Sequence, residues 1–271
     1  ENLLKLKQRG IHILEPTSGM LACGYEGKGR LPDTNTILSE IRSLISRTEE
    51  LKGKTILVTA GGTIEPIDDV RHITNKSSGK MGIALADACA RRGAKVILLK
   101  AKNAVMPSSE MIIYEFETAT ELDALLHKMI KRCDMCFHAA AVSDFTVSFS
   151  PGKRQSDHGQ SLHLIPREKI YKGLKKENTQ LLLFLFKAVW KESRQNVIKK
   201  TNDILNTGNA DGIIINDVGE KGRGFAVDTN EVTILLRNGD SYDVPLASKR
   251  EVAEKIIDIV LCKKQNEIFV S

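Results

Sequence analysis

From residue 54 onward, short apolar runs alternate with segments of helical periodicity, and this alternation limits the possible folds more than any other feature. The first run, Thr55–Ala60, is almost continuously apolar, as in strands that are buried on both faces. Comparable runs lie at residues 95–99, 135–141, 181–186 and 212–215, and helical patterns lie at residues 79–92, 118–131 and 192–206. Strands separated by helices predict βαβ units, in which the strands pair in parallel.

The two ends of the chain follow other patterns. Residues 231–236 and 241–244 flank Asn238 and Gly239, a pair typical of the primed turn of a β-hairpin, and a last helix is predicted over residues 248–261. We therefore predict an α/β fold with a doubly wound, mostly parallel Rossmann-like sheet and a C-terminal β-hairpin. Residues 1–35 are turn-rich, and residues 36–52 have the pattern of an amphipathic linker helix. The sequence thus predicts two parts, 1–52 and 53–271.

The composition of the 271 residues excludes several classes of protein. Hydrophobic residues make up 41% of the chain, but no apolar run approaches the roughly 18 residues of a membrane span. The formal net charge is +6, yet lysine and arginine are spread among 34 acidic residues, which favours small anionic substrates or a merely basic surface over nucleic acid. Five cysteines without a secretory segment indicate a cytoplasmic protein. Because Cys136 of the C-x-x-C pair begins a strand-like run, we interpret Cys133 and Cys136 as buried apolar residues.

Gly61 and Gly62 follow the first predicted strand. Ligands of open parallel sheets bind at the carboxyl ends of the strands, where glycines let the backbone approach a phosphate closely. The G-x-G-x-x-G fingerprint of dinucleotide-binding enzymes is absent from the sequence, so an NAD(P)-dependent reductase loses support.

Residues 70–82 combine cations, hydroxyls and glycines directly before a predicted helix. A helix N-terminus favours an anion, because its free N–H groups and its dipole point outward. Ser77 or Ser78 is predicted to cap that helix. Ordinary capping would explain one serine, but not the presence of Arg71, Asn75 and Lys80 in the same short turn.

A third candidate segment follows the strand predicted over residues 135–141. Small side chains at residues 139–141 leave room for a flat base or an acyl group, and Asp144 is placed to bind a divalent cation or, alternatively, to cap a turn. The polar loop 144–161 carries Lys153 and Arg154. Loops of this length in a compact domain are usually lids or binding loops, so a lysine there is expected to approach a triphosphate upon closure.

These motifs resemble the phosphopantothenate–cysteine ligase family over residues 53–262. The resemblance is densest at residues 59–66 (Thr-Ala-Gly-Gly-Thr-x-Glu-Pro), 70–82 (Val-Arg-x-Ile-x-Asn-x-Ser-Ser-Gly-Lys-Met-Gly) and 140–145 (Ala-Ala-Val-Ser-Asp-Phe). Asn216 and Asp217 also fit, as do Gly224, Phe225, Asp228 and Asn230.

The N-terminal part carries a second resemblance. Residues 16–30, including Cys23, are similar to the closing segment of the flavin-dependent phosphopantothenoylcysteine decarboxylase, which precedes the ligase in many bacterial and archaeal chains. The resemblance implies the ligase half of a bifunctional protein, with FMN bound only by the decarboxylase portion that this chain lacks. Since the catalytic histidine belongs to that portion, we expect no decarboxylation here.

The ligase resemblance implies a two-step reaction in coenzyme A biosynthesis. The carboxylate of 4′-phosphopantothenate attacks the α-phosphate of CTP or ATP, with Mg²⁺, and cysteine then displaces the nucleoside monophosphate. Catalytic roles fall on Arg71, Asn75 and Lys153, and a metal-binding role falls on Asp144. Nucleotide binding is expected at Gly61, Gly62, Ser78, Gly79, Lys80, His138, Ala139, Ala140, Asp144, Ile170, Tyr171 and Phe186. The resemblance also implies a homodimer, and neither nucleic acid nor a membrane is expected as a partner.

The chain departs from the family pattern at three places. The strand end Gly-Phe-x-x-Glu-Thr of the family is changed at residues 185–190 and lacks its glutamate. Two lysines that bind the triphosphate are replaced by Ile204 and Gly208, and the Lys-Ile-Lys of the flap is reduced to Lys153 and Arg154. These changes leave open CTP or ATP as substrate, and a catalytically weak scaffold domain for a decarboxylase complex as the alternative function.

Overall fold

The computed structural model describes residues 2–9, 11, 13, 14, 16–20, 26–34, 37, 38, 41, 48–155, 158–220, 222–224 and 227–268. The chain separates into two compact units, Glu1–Thr48 and Glu49–Ser271, whereas the sequence pattern predicts a division after residue 52.

The described residues of the N-terminal unit include helical segments and one pair of strands. Helix α1 spans Asn2–Gln8, and strands β1 (Thr17–Met20) and β2 (Glu26–Arg30) form an antiparallel pair. Residues 37, 38 and 41 are helical, but residues 48–54 are not, so the prediction of a helix that continues to residue 52 is wrong at its C-terminal end. Leu51 instead lies in a turn, where it is buried and its N–H donates to Arg92 O at 2.8 Å. Cys23 lies outside the described residues.

An eight-stranded sheet forms the second unit. Its strands are β3 (Thr55–Ala60), β6 (Lys95–Ala101), β7 (Ile112–Phe116), β8 (Met135–His138), β11 (Leu182–Val189), β12 (Gly212–Asp217), β13 (Thr229–Leu236) and β14 (Ser241–Ser248). They lie in the order β14-β13-β12-β11-β8-β3-β6-β7, in which the strands from β12 to β7 are parallel. The last two strands pair antiparallel. The predicted parallel sheet with a C-terminal hairpin is therefore confirmed.

Helices cover both faces of this sheet. They are α2 (Lys80–Arg91), α3 (Ala119–Met129), α4 (Leu174–Glu177), α5 (Arg194–Gly208) and α6 (Lys249–Ile268). Along β3, Ile56 and Val58 pack with α2 and α6, whereas Leu57 packs with α3, α4 and α5. All three side chains are fully buried, because successive residues of a strand point to opposite faces and both faces are covered. The fold is thus doubly wound, as predicted.

Two strand pairs are too short to give a sequence pattern. Strands β4 (Ile64–Pro66) and β5 (His72–Thr74) form one antiparallel pair, and β9 (Phe145–Thr146) and β10 (Ile165–Pro166) form another. The edge strand β7 was not predicted either, although Ile112, Ile113 and Phe116 are apolar; four of its five residues are at least partly exposed. The pairs β4–β5 and β9–β10 matter for the site, since they bring residues 75 and 167 next to the sheet.

Strand β8 ends at His138, three residues earlier than predicted. Beyond it the Ala140 N–H donates to Thr59 Oγ1 at 2.9 Å, and the Ala141 N–H donates to Gly61 O at 2.8 Å. Residues 139–141 therefore bind the end of β3 without extending the ladder. Strands β3 and β8 are also the point at which the strand order reverses direction, which is where open α/β sheets bind ligands.

No helix among the described residues has both the length and the apolar composition that crossing a bilayer requires.

Candidate functional site

A cavity of about 260 Å³ lies at the carboxyl ends of β8, β11 and β12, beside the start of α2. Four chain segments contribute most of its wall, and the C-terminal hairpin and α6 close one side. The lining residues are Asn75, Ser77, residues 79–82, 138–144, 167–171 and 185–188, Ile204, Ile213, Asn216, Gly224, Asn230 and Lys249.

Ten of the predicted site residues line this cavity. They are Asn75, Gly79, Lys80, His138, Ala139, Ala140, Asp144, Ile170, Tyr171 and Phe186. Five others do not lie among the described lining residues: Gly61, Gly62, Arg71, Ser78 and Lys153. The structure thus brings together the residues of three predicted motifs and leaves the two catalytic cations, Arg71 and Lys153, outside.

Gly61 and Gly62 support the wall of the cavity rather than form it. Gly61 has a φ of +98°, and a Cβ there would lie 2.5 Å from the Ala101 Cβ. A Cβ on Gly62 would lie 2.9 Å from Asn75 O. Gly61 therefore allows Ala101 to pack closely against the end of β3, and Gly62 allows the same for Asn75.

Helix α2 begins without a side-chain cap. Its N-cap is Gly79, in the left-handed conformation with a φ of 76°, which has no side chain to cap the first turn. The prediction that Ser77 or Ser78 caps the helix is therefore wrong. Because Lys80, Met81 and Gly82 line the cavity, the positive end of the helix dipole faces it and favours an anion.

Asn75 is held against the strand end that follows β8. Its Nδ2 donates to Ala141 O and Val142 O, each at 3.2 Å. The amide therefore links the loop before α2 to the small residues beyond β8, and its position in the cavity is fixed from two sides.

His138 presents a neutral imidazole to the cavity. Burial lowers the pKa of His138 to about 4, so the ring is uncharged at neutral pH. Its Nδ1 lies 3.0 Å from the Oγ1 of fully buried Thr59, which already accepts the Ala140 N–H. When the hydroxyl donates to Nδ1, the ring proton lies on Nε2. In that tautomer the neutral ring of His138 offers an N–H to the cavity.

Asp144 forms an ion pair with Lys169, and both residues line the cavity. No cluster of three metal-binding side chains occurs among the described residues. A single carboxylate is nevertheless what Mg²⁺ needs when substrate phosphates supply other ligands, so Asp144 fits a metal that arrives with a nucleotide.

Arg167 also lines the cavity, although sequence reasoning missed it. The carboxylate of Glu65, which is 2% exposed, accepts from Arg167 Nη2 at 3.1 Å and from the Ala119 N–H at 3.3 Å. The Arg167 N–H donates to Asp144 O at 2.9 Å. The β4–β5 pair thus carries a buried carboxylate that orients a cavity arginine.

Arg71 and Lys153 lie on two segments that bind each other. Arg71 Nη2 donates to Arg154 O at 3.0 Å, and the Gly152 N–H donates to Asp69 Oδ2 at 2.6 Å. The Arg154 N–H donates to Asp68 Oδ2 at 3.2 Å. The segments 67–71 and 150–154 therefore form one hydrogen-bonded unit, which we call the flap unit.

The altered positions of the ligase motif have visible consequences. Ile204 lines the cavity, so an apolar side chain stands where the resemblance expects a lysine. Lys200 pairs instead with Glu192 at 2.6 Å, and neither it nor Lys199 is among the described lining residues. Phe186 and Lys187 face the cavity, whereas Trp190 is 67% exposed and Phe225 lies outside the described residues.

Lys169, Asn230 and Lys249 are further cavity residues that sequence reasoning did not assign to the site. Asn230 carried a signal, since it belongs to a motif that fits the ligase pattern. Lys249 begins α6, and no local pattern distinguishes it from other lysines that start a helix.

Comparison with known proteins agrees with this geometry. The family model for the DNA/pantothenate metabolism flavoprotein C-terminal domain matches residues 51–263. A cysteine/cysteine sulfinic acid decarboxylase from an unknown prokaryotic organism is 38% identical over 270 residues, which cover 96% of this chain and 74% of that protein. The coenzyme A biosynthesis bifunctional protein CoaBC of Bacillus subtilis (strain 168) is 36% identical over 270 residues, which cover 97% of this chain and 66% of that protein.

Among solved structures, the C-terminal domain of a coenzyme A biosynthesis bifunctional protein CoaBC superposes with a TM-score of 0.66 at 30% identity. The match covers 81% of this chain and 100% of that domain. On the residues matched and on the shared fold, this chain belongs to the family of the DNA/pantothenate metabolism flavoprotein C-terminal domain.

Proposed function

We propose that this chain is a phosphopantothenate–cysteine ligase of coenzyme A biosynthesis. The observation that carries the proposal is that residues 75–82, 138–144 and Phe186, which the ligase resemblance assigns to substrates, meet in one cavity. The relatives named coenzyme A biosynthesis bifunctional protein CoaBC support it, although this chain spans only 66% of the length of the B. subtilis protein.

The reaction has two balanced steps. A carboxylate oxygen of 4′-phosphopantothenate attacks the α-phosphorus of CTP or ATP, and the bond to pyrophosphate breaks, which leaves an acyl-nucleotide. The cysteine amine then attacks the acyl carbon, loses a proton and expels the nucleoside monophosphate. Both steps bring polyanions together, so the site must supply positive charge and N–H donors without competing water.

Several cavity residues suit these demands. The uncapped start of α2 and Lys80 are placed to bind phosphate, and the neutral Nε2–H of His138 is placed to donate to a substrate oxygen. Asn75 is fixed beside the small residues that follow β8, where an acyl group fits. Phe186 offers a flat apolar surface for a base.

Magnesium fits the site only through one protein carboxylate. Asp144 would hold it together with phosphate oxygens, and the ion would neutralise charge on the nucleotide. Before any nucleotide binds, the carboxylate of Asp144 is paired with the ammonium group of Lys169.

The flap unit is proposed to act as a lid. Arg71 and Lys153 both belong to it, and the hydrogen bonds between side chains and backbone that join its two segments would make the two cations move together. Closure over the cavity would then add two positive charges at once, after the substrates have entered.

Pyrophosphate release tests the proposal. Full-length protein is incubated with 4′-phosphopantothenate, cysteine, MgCl₂ and either CTP or ATP, and each component is omitted in turn. We expect continuous release only in the complete mixture, and about one equivalent per site without cysteine, because the acyl-nucleotide then remains bound. Release that does not depend on phosphopantothenate would contradict the ligase assignment.

A non-catalytic scaffold domain for a decarboxylase complex is the second candidate. Ile204 supports it, since an apolar residue lines the cavity where a phosphate-binding lysine is expected. Absence of pyrophosphate release with both nucleotides would favour this function. The homodimer, the cytoplasmic location and the decarboxylase origin of residues 1–52 stay predictions.

A further inference from the structure

A buried lysine that no step of the proposed reaction uses lies at the end of β6. Lys100 is 2% exposed, and it is not among the described residues that line the cavity. Its neighbours Leu99 and Ala101 are buried apolar residues, as expected in a strand that is covered on both faces. Because burying an ammonium group is costly unless the group is paired and hydrogen-bonded, a lysine is unusual at this position.

The ammonium group of Lys100 is bonded within the turn that follows the strand. Its Nζ donates to Ala101 O at 3.0 Å, to Lys102 O at 3.2 Å and to Ala104 O at 3.3 Å. It also forms an ion pair with Glu115 of β7 at 3.1 Å. An ammonium group has three N–H donors, so this one side chain gathers three backbone carbonyls of a single turn.

Residues 101–105, which we call the β6 loop, pack against two glycines beside the cavity. A Cβ on Gly61 would lie 2.5 Å from the Ala101 Cβ and 3.0 Å from the Ala104 Cβ. A Cβ on Gly79 would lie 2.7 Å from the same Ala104 Cβ. The two alanine methyl groups of the β6 loop are therefore in close contact with the end of β3 and with the N-cap of α2.

The β6 loop is also hydrogen-bonded to the chain that leads into α2. The Val105 N–H donates to Ser78 O at 3.3 Å, and the next residue, Gly79, is the N-cap of the helix. Ser77 and Gly79 line the cavity. A shift of the β6 loop would consequently move the first turn of α2, whose free N–H groups bind an anion only when they point at it.

Lys100 lies on the face of the sheet that α2 covers. Leu98 and Val96, two and four residues earlier in β6, belong to the buried cluster that also contains Ile83 and Leu85 of α2. Side chains two residues apart on a strand share a face, so Lys100 points to the same side. The lysine is thus on the side of the sheet where the start of the helix has to be held.

A role in stability alone explains part of this arrangement. An apolar residue at position 100 would also be buried, but it would leave the three carbonyls without this donor, and unpaired buried carbonyls reduce stability. Stability alone does not require that the same loop carries both contacts to the helix start, the methyl group of Ala104 and the N–H of Val105.

We propose that Lys100 is a positioning residue for the cavity. It holds the β6 loop in place, and the loop holds the first turn of α2 in the geometry that binds a substrate. The inference rests on the proposed function, because it takes the cavity to bind the nucleotide of the ligase reaction. Lys100 itself touches no substrate in this role, and its charge is paired locally with that of Glu115.

Calorimetric binding of CTP and of ATP to the full chain, each with MgCl₂, tests this role without catalysis. Lys100→Met keeps the apolar stem and removes the three donors. We expect about tenfold weaker nucleotide binding, because a misplacement of about 1 Å is enough to disrupt aligned contacts. Lys102→Met is the matched control, since Lys102 belongs to the same loop but forms an exposed pair with Glu117, and this variant should bind like the wild type.

Ala104→Gly tests the same path without removing a charge. The variant loses only the methyl group that contacts Gly79, so it remains informative if Lys100→Met does not fold. We expect it to weaken nucleotide binding by about threefold. In the variant that carries both changes, the two losses should be less than additive, because both act through the position of the β6 loop.

Thermal denaturation distinguishes positioning from a purely structural role. If Lys100→Met and Ala104→Gly lower the Tm while the folded proteins bind both nucleotides as tightly as the wild type, the positioning role is overturned. A wild type that binds neither nucleotide would overturn it as well. Failure of the ligase function is separate, because it would appear as nucleotide binding without pyrophosphate release.

Discussion

His138 shows how one buried contact sets the chemistry of a residue. Its neutral ring depends on burial, and its tautomer depends on the hydroxyl of Thr59, which the Ala140 N–H holds in place. An alanine at this position could not donate to a substrate oxygen. The N–H donor of His138 therefore depends on two residues of neighbouring strands, His138 and Thr59, and each orients the other.

Protonation of His138 should couple to folding. Its pKa is about 4 in the folded chain and near 6.5 when unfolded, so the unfolded chain binds more protons between these values. The stability contributed by the neutral ring is complete above about pH 6.5 and is lost as the pH falls towards 4. We expect the free energy of unfolding to drop by about 2 kcal/mol between pH 7.5 and pH 5 through this group.

Urea denaturation at the two pH values measures this drop. His138→Asn keeps an acceptor for Thr59 but cannot take up a proton, so its loss of stability should be smaller by about the same 2 kcal/mol. His158→Asn is the matched control, because His158 is exposed and the variant should follow the wild type. Identical pH dependence in the wild type and in His138→Asn would contradict the argument.

At the scale of elements, the last residue of the connection between β3 and α2 fixes the position of the helix start beside the cavity. Gly79 takes a left-handed conformation, and a Cβ there would lie 2.7 Å from the Ala104 Cβ and 3.1 Å from Gly61 N. The loop after β6 and the loop after β3 therefore both press on this residue, and the helix can begin only where a glycine stands.

Replacement of Gly79 by alanine should be costly for two reasons. The backbone strain costs about 1 kcal/mol, and the contacts with Ala104 and Gly61 add a similar or larger amount. Gly53→Ala separates the two effects, because Gly53 has a φ of +77° but nothing within 4 Å of its Cβ position. In chemical denaturation Gly79→Ala should lose at least about 1 kcal/mol more than Gly53→Ala; equal losses would show that the close packing has no energetic weight.

The elements themselves were largely predictable. Strands β3, β6, β11 and β12 are buried on both faces, so each gives an apolar run that the sequence reveals. Strand β7 lies at the sheet edge, where four of its five residues are at least partly exposed, and it was not predicted. Strand β8 was predicted too long, because residues 139–141 are as small and apolar as a strand but bond to the end of β3 instead.

At the scale of the whole molecule, the site is a product of strand order. Asn75 and Asp144 were found from sequence because the first lies in a compact motif directly before a predicted helix and the second in one that follows a predicted strand. The pairs Lys80–Asp228 and Glu65–Arg167 join residues 148 and 102 positions apart, so no local pattern could reveal them. Only the antiparallel return of β13 and β14 brings Lys249 back to the start of α2.

The docking of α6 on α2 should therefore affect both the free energy of unfolding and the position of Lys249 at the cavity. Glu254 of α6 accepts from Arg91 Nη2 at 2.7 Å and from Arg92 Nη2 at 2.9 Å, and Arg92 also pairs with Asp258 at 2.6 Å. The two arginine side chains are only 5% and 10% exposed. Removing one partner from a buried network leaves charges without compensation, which costs much more than losing an exposed pair.

Glu254→Gln should consequently lower the free energy of unfolding by about 2–4 kcal/mol, because two buried guanidinium groups lose their shared carboxylate. Glu49→Gln is the matched control, since the Glu49–Lys52 pair is largely exposed and should contribute less than about 1 kcal/mol. Chemical denaturation at low and high salt separates the contributions of the buried network and of the exposed pair, because salt screens only the exposed pair appreciably. If both variants lose the same stability with the same salt dependence, the buried network does not hold α6 on α2, and the position of Lys249 must depend on the hairpin alone.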